Sequence, residues 1–335
     1  MVMVAFTVLA GLAQHDAQAQ LPVPLIEMGF SEGSGTGTTN SGTLGGPAAF
    51  VQQGGYPAFS ANVPVGAFAP TGNSSATDLG NVATGQGGRA IDLTTVNGPL
   101  GTLNAFTVCG WVNARSLVEG PGGNRIAFSL AAQNGPGFDL VQLASGALRI
   151  GINQWPDGSG GGGPISSAGK ITADPAAGSN NWVFLAATYD STLASSNFRY
   201  YFGKPGQLAA LDTQHTYAKG AAGPCGSFTA GNFSSVDTGA RNASGTSSRV
   251  FRGLVDELRV FDRALSLTEI QVAQVAPAFK PADLPPQVAE IVPAPGATVR
   301  RLRQIEVLFN EAVQGVDAAD LLINESPATN VLAVA

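Results

Sequence analysis

The sequence is poor in charge. Charged residues make up 12% of its 335 positions, about half of the roughly 25% usual for soluble domains. Only four of the 17 basic residues are lysine, and the net charge is −6. No stretch has the basic density that holds a phosphate backbone, which excludes nucleic acid as an expected partner. The one local exception, Arg300-Arg301-Leu302-Arg303, reads as a solvated strand edge or turn.

Histidine is nearly absent too. His15 lies in a leader-like segment, so a histidine-based triad would depend on His215 alone. No Gly-x-Ser-x-Gly nucleophile turn surrounds any serine, and no Cys/His set has metal-ligand spacing. A retaining glycosidase needs two carboxylates about 5–5.5 Å apart over a cleft, and no strand carries such a set. These absences argue against a catalytic centre. The run Gly158-Ser159-Gly160-Gly161-Gly162-Gly163 is followed by Pro164; it lacks the Lys-Ser/Thr of a phosphate-binding loop and reads as a flexible connection.

Long apolar runs are also missing. Val2 to Ala13 carries no charge and leads to Ala17-Gln18-Ala19, a small-x-small cleavage pattern, so residues 1–19 read as a signal-peptide remnant. The run is shorter than the ~20 residues that cross a bilayer, and no later segment supplies a span. The expected location is therefore secreted or at the cell surface. There, Cys109 and Cys225 are open to pairing; the alternative is two independent buried thiols, and the sequence decides between neither.

What is present is apolar and full of turns: 44% hydrophobic residues, 44 glycines and 21 prolines. That favours many short strands around a sizeable core. Phe106-Thr-Val-Cys-Gly-Trp-Val112 and Trp182-Val-Phe-Leu-Ala-Ala-Thr-Tyr189 are apolar on both faces, as strands inside a two-sheet stack are. Phe138–Leu143 and Ala147–Ile152 flank the turn Ala144-Ser145-Gly146 and predict a hairpin. Ser266-Leu267-Thr268-Glu269 is a capping box, with Leu265 and Ile270 placed as a hydrophobic staple, predicting a helix that ends near Val275 before Pro277. Four prolines between Pro277 and Pro286 mark a stiff linker at 277–286.

Four stretches, in order, resemble the laminin-G-like, pentraxin-type branch of the concanavalin A-like lectin/glucanase fold. Ile26-Glu-Met-Gly-Phe-Ser-Glu-Gly-Ser-Gly35 is similar to its opening strand and turn. Phe106–Val112 is similar to F-T-[apolar]-x-x-W-[apolar], and Trp182–Asp190 to W-x-x-[apolar]-A-x-T-Y-D. Phe251-Arg-Gly-Leu-Val-Asp-Glu-Leu-Arg-Val-Phe-Asp-Arg-Ala-Leu-Ser266 with Glu269-Ile270 is the long and specific match. The stretch between Gly37 and Arg89 and the loop at 157–164 depart from the pattern. The tail from Pro286 resembles the first half of a bacterial Ig-like domain. Only about 50 residues follow the linker, where such a sandwich needs about 100.

The resemblance implies an all-β antiparallel jelly-roll sandwich over residues 20–276, then the linker and an incomplete Ig-like domain over 287–335. It implies a recognition module for carbohydrate, and in many members a structural Ca²⁺ held by acidic side chains and carbonyls. The candidate ligands here are Glu32 and Asp256, with further oxygens needed to reach six to eight. Strand alternation puts Asp256 on the face of Leu254, Leu258 and Val260, with Glu257 and Arg259 opposite; without metal, Asp256 would accept backbone or arginine hydrogen bonds. For ligand contact, Trp155 and Asp157 beside the glycine run stand out, with Tyr217 next to His215, since loop aromatics stack on sugar rings and nearby polar atoms bond hydroxyls. Trp111 and Trp182 read as core. The expected function is a non-catalytic recognition module of a larger exported protein. The alternatives are a spacer contacting extracellular protein and an accessory domain of a glycan-active enzyme.

Overall fold

The computed structural model describes residues 21–51, 57–80, 89–92, 99–118, 122–131, 135–154, 162–232, 249, 251–278, 288–292, 306–309, 322–323 and 326–327. The chain divides into two compact units, Met1–Phe279 and Lys280–Ala335. Strands of the first are β1 (Ile26–Met28), β2 (Gly37–Thr39), β3 (Pro47–Val51), β4 (Ala58–Ser60), β5 (Ala76–Asp78), β6 (Arg89–Asp92), β7 (Gly101–Leu103), β8 (Ala105–Ala114) and β9 (Asn124–Leu130). They continue as β10 (Gly137–Gln142), β11 (Leu148–Ile152), β12 (Val183–Asp190), β13 (Phe198–Lys204), β14 (Gln207–His215), β15 (Ala222–Cys225), β16 (Phe228–Asn232) and β17 (Gly253–Phe261), before helix α1 (Leu267–Val275).

Two antiparallel sheets form the expected jelly-roll sandwich. One runs β14-β13-β12-β8-β17-β5-β4, with β1 also on β17; the other runs β11-β10-β9-β16-β6-β3-β2. Between them lies the main core, to which β8 gives Phe106, Val108 and Val112, β12 gives Val183, Leu185 and Tyr189, and the facing sheet gives Phe138, Leu140, Ile150 and Phe228. Each such side chain, fully buried, contributes about 1.5–3 kcal/mol. The opposite face of the first sheet is buried as well. Cys109, Trp111, Trp182, Phe184, Leu254 and Phe261 pack there against Leu265, Ile270 and Ala273 around α1. Strands buried on both faces explain why their sequences are apolar throughout rather than alternating.

The hairpin and the helix form where the sequence predicts them. Strands β10 and β11 pair antiparallel across the turn, with Gly146 at φ +71. The N-terminus of α1 is closed by Ser266 and Glu269: the Ser266 N–H donates to Glu269 Oε2 (2.8 Å) and the Glu269 N–H to Ser266 Oγ (3.4 Å).

The alternation expected along β17 breaks at Glu257, a non-glycine residue at φ +50, where the register with β8 shifts. This bulge places an extra residue against Gly110 of β8, and a Cβ at Gly110 would meet Leu258 Cδ2 at 2.6 Å and the Asp256 carbonyl oxygen at 3.1 Å. The bulge flips the phase. Asp256 pairs with Trp111 and Arg259 with Cys109, so both face the helix side, whereas Leu258 and Val260 belong to the inter-sheet core. The predicted grouping of Asp256 with Leu258 and Val260 is thereby corrected.

Cys109 and Cys225 are buried free thiols. Cys109 packs under α1 and Cys225 in the inter-sheet core, so the first sheet separates them and the pairing alternative is corrected. In the second unit, β18 (Val288–Val292) pairs with β19 (Glu306–Phe309), and β20 (Leu322–Ile323) with β21 (Ser326–Pro327). Arg300, Arg301 and Arg303, the leader-like segment 1–19 and most of the linker lie outside the described residues.

Candidate functional site

A shallow cleft of about 350 Å³ opens where Gly162, Gly163 and Pro164 face His215, Thr216, Tyr217 and Lys219. Its two walls come from distant parts of the chain, the return of the glycine run and the exit of edge strand β14. The Tyr217 hydroxyl donates to the Gly162 carbonyl and accepts from the Ile152 N–H, both at 3.2 Å. Lys219 Nζ lies 5.7 Å from the Tyr217 ring centroid. A Cβ at Gly163 would fall 1.9 Å from the Ile150 carbonyl oxygen, so only glycine lets this wall approach β11. His215 stands edge-on to Tyr200, with its Nε2 buried and without a hydrogen-bond partner.

Of the sequence candidates for ligand contact, Tyr217 is therefore in a cleft. Trp155 and Asp157 lie outside the described residues; the described chain stops at Gln154 and resumes at Gly162, in the cleft wall. Lys219, which no sequence motif marks, lines the same cleft.

The outer face of the second sheet carries a cluster that no sequence motif marks either. Asp139 on β10 is buried between Arg125 on β9 (3.2 Å) and Arg249 (2.9 Å). Burial opposes ionisation of Asp139, yet the two guanidiniums outweigh it and hold its carboxyl below the ordinary 3.8. Arg249 also donates to the carbonyls of Gly122 and Gly123, and Arg149 of β11 donates to the same Gly122 carbonyl.

The two metal candidates are not brought together by any shared partner. Glu32 is exposed and accepts from the Thr38 hydroxyl (2.9 Å) and the Thr39 N–H (2.8 Å). Asp256 is fully buried and accepts from Asn73 Nδ2 (2.6 Å) and the Glu257 N–H (2.9 Å). Burial, and then the charge of Glu257, push the Asp256 carboxyl well above the ordinary 3.8.

A laminin-G-type family model, described as the concanavalin A-like lectin/glucanases superfamily, matches residues 85–271, more than half of the chain. The chain belongs to this superfamily. Similar solved structures include the botulinum neurotoxin serotype G binding domain, at 12% identity and TM-score 0.47, covering 75% of this chain and 50% of that one. The CBM40 of the Ruminococcus gnavus IT-sialidase, bound to α2,3-sialyllactose, is similar at 14% identity and TM-score 0.40, covering 58% and 95%. An SAP-like pentraxin from Limulus polyphemus is similar at 13% identity and TM-score 0.38, covering 59% and 80%. This chain spans about half the length of the toxin binding domains. No curated protein sequence matches it.

In this member of the lectin/glucanase superfamily, the long motif from Phe251 to Ile270 is a fastening for α1. Arg259, fully buried, pairs with Glu27 of β1 and with Glu257, each at 2.8 Å. Its remaining donors reach the carbonyls of Ala273 (3.0 Å) and Ala276 (2.8 Å), which a helix C-terminus would otherwise leave unsatisfied. Arg263 pairs with the capping residue Glu269. Trp111 Nε1 donates to the Gln274 carbonyl at 3.2 Å, confirming Trp111 as core.

Calcium, which the superfamily resemblance implies, is fitted by one half of the expected ligand pair. Asn73 Oδ1 is buried without a hydrogen-bond partner beside the Asp256 carboxylate, an oxygen-only donor set of the kind Ca²⁺ takes. Glu32 stands apart from this pair, exposed and accepting from the Thr38 hydroxyl and the Thr39 N–H. Among the described residues no group of three or more His, Cys, Asp or Glu could hold a metal, so carbonyls and water would complete the shell.

Proposed function

We propose that this chain is a non-catalytic carbohydrate-recognition module of an exported or cell-surface protein. The observation that carries the reading is the cleft at Gly162–Pro164 and His215–Lys219, with the Tyr217 ring in its wall. A rigidly held aromatic next to a glycine-rich wall suits the flat face of a sugar ring, and neighbouring polar groups suit its hydroxyls. Among the described buried carboxylates, Glu27, Asp78, Asp139 and Glu257 each pair with an arginine, and Asp256 is held by Asn73 and the Glu257 N–H. Export is supported by the leader-like N-terminus, and among the described residues no helix is long and apolar enough to cross a membrane.

A glycan array is the test. Binding to at least one glycan is expected, weakened about tenfold or more in Trp155→Ala, the scale of an aromatic anchor. Silence of the unmodified protein across the array would overturn the reading in favour of a protein-contacting spacer. Release of new reducing ends from a bound glycan would overturn the non-catalytic part.

Asp256 and Asn73 are proposed as protein ligands of one Ca²⁺. A hundredfold excess of Ca²⁺ over its Kd should raise Tm by about 5–10 °C for a domain of this size, reversed by chelator and abolished in Asp256→Ala. An unchanged Tm at saturating Ca²⁺ would remove the proposal.

A further inference from the structure

The outer face of the second sheet holds a guanidinium that the scaffold does not use up. Arg125 and Arg249 both donate to Asp139. Arg149 differs: among the described residues its side chain makes a single hydrogen bond, to the Gly122 carbonyl, and pairs with no carboxylate. It is half-buried on β11, so its charge is partly shielded from water while four of the five guanidinium donors stay available. Directly opposite, through an antiparallel bridge, is Ile165, 46% exposed. Residues paired across strands project to the same face, so the stem of Arg149 and the open apolar surface of Ile165 share one face at the β11 edge, while the guanidinium reaches toward Gly122. Ile165 follows Pro164 of the cleft wall, and β11 ends shortly before Trp155.

We propose that Arg149 and Ile165 form a subsite for an acidic substituent, a carboxylate or sulfate, on the bound saccharide. The inference rests on the carbohydrate reading above. A planar guanidinium matches either anion bidentately, and the C–H face of the ring that carries it packs on Ile165. A net charge of −6 repels acidic polymers at long range, so a local cationic contact is what such a ligand requires.

The experiment is titration of the full chain with an acidic polysaccharide and with its carboxyl-reduced and desulfated counterparts. The acidic form is expected to bind, with affinity falling about tenfold to a hundredfold in Arg149→Ala, the range of a charge-assisted hydrogen bond. Arg149→Lys should lose less, and 0.5 M salt should weaken the unmodified protein in the manner of Arg149→Ala. Arg199→Ala, which removes the same charge from β13 on the other sheet, should leave affinity unchanged. Arg149→Ala deletes one half-exposed side chain, and an unchanged thermal transition checks that it folds. Which chemical removal abolishes binding tells carboxylate from sulfate. Equal binding of the neutral and acidic forms, or an Arg149→Ala variant of undiminished affinity, would overturn the subsite and leave carbohydrate recognition standing. Absence of binding to every saccharide would overturn both.

Discussion

Arg259→Leu is expected to destabilise the first unit by about 3–5 kcal/mol, read by urea unfolding, because it strands buried charge. Glu27 and Glu257, 3% and 2% exposed, would lose their cation, and the Ala273 and Ala276 carbonyls would lose their donor. The double variant Arg259→Leu, Glu27→Leu should lose clearly less than the two single losses added, since the pair is coupled. A loss under about 1 kcal/mol in Arg259→Leu, well below the range for a broken buried ion pair, would show that the cluster does not fasten the helix. The same cluster carries a pH signature. Burial, outweighing Arg259, lifts the Glu257 carboxyl from 4.5 to about 7. Its folded value lies above its unfolded one, so the stability it contributes is complete below about pH 4.5 and is lost as pH rises through about 7.

Asp139→Asn is expected to cost a similar 3–5 kcal/mol, since it leaves Arg125 and Arg249 buried without their shared carboxylate. The sign with pH is opposite. The folded pKa of Asp139 lies below 3.8, so its contribution is present above that pH and is lost as pH falls through the folded value. The comparison of interest is acid unfolding of the unmodified protein against Asp139→Asn. The variant should have lost part of the acid-sensitive component, and identical acid profiles with unchanged stability at pH 7 would contradict the role given to Asp139.

These features differ in how readable they are from sequence. Strands β8 and β12 could be read because both of their faces are apolar, and α1 because Ser266 and Glu269 sit at the capping spacing. The bulge at Glu257 could not: a glutamate at positive φ carries none of the glycine or asparagine signal that marks such a turn. Asn73 falls in the stretch between Gly37 and Arg89, which departs from the family pattern, so its meeting with Asp256 was hidden. The cleft joins Gly162–Pro164 to His215–Lys219, a juxtaposition made by β13 and β14 folding back and not by any local spacing. The arginine-bearing face was partly legible. Asp139 alternates with Phe138 and Leu140, and Arg149 with Leu148 and Ile150; a charge opposite a core position on a strand buried on both sides was the available clue.

The surplus residue of β17 and the bare Cα of Gly110 bind two distant codons to a common fate. A side chain at position 110 would displace Leu258 and crowd the Asp256 and Glu257 carbonyls while the bulge persists, and excising the extra residue would turn Arg259 toward the inter-sheet core. Relatives that lack the one feature should tend to lack the other.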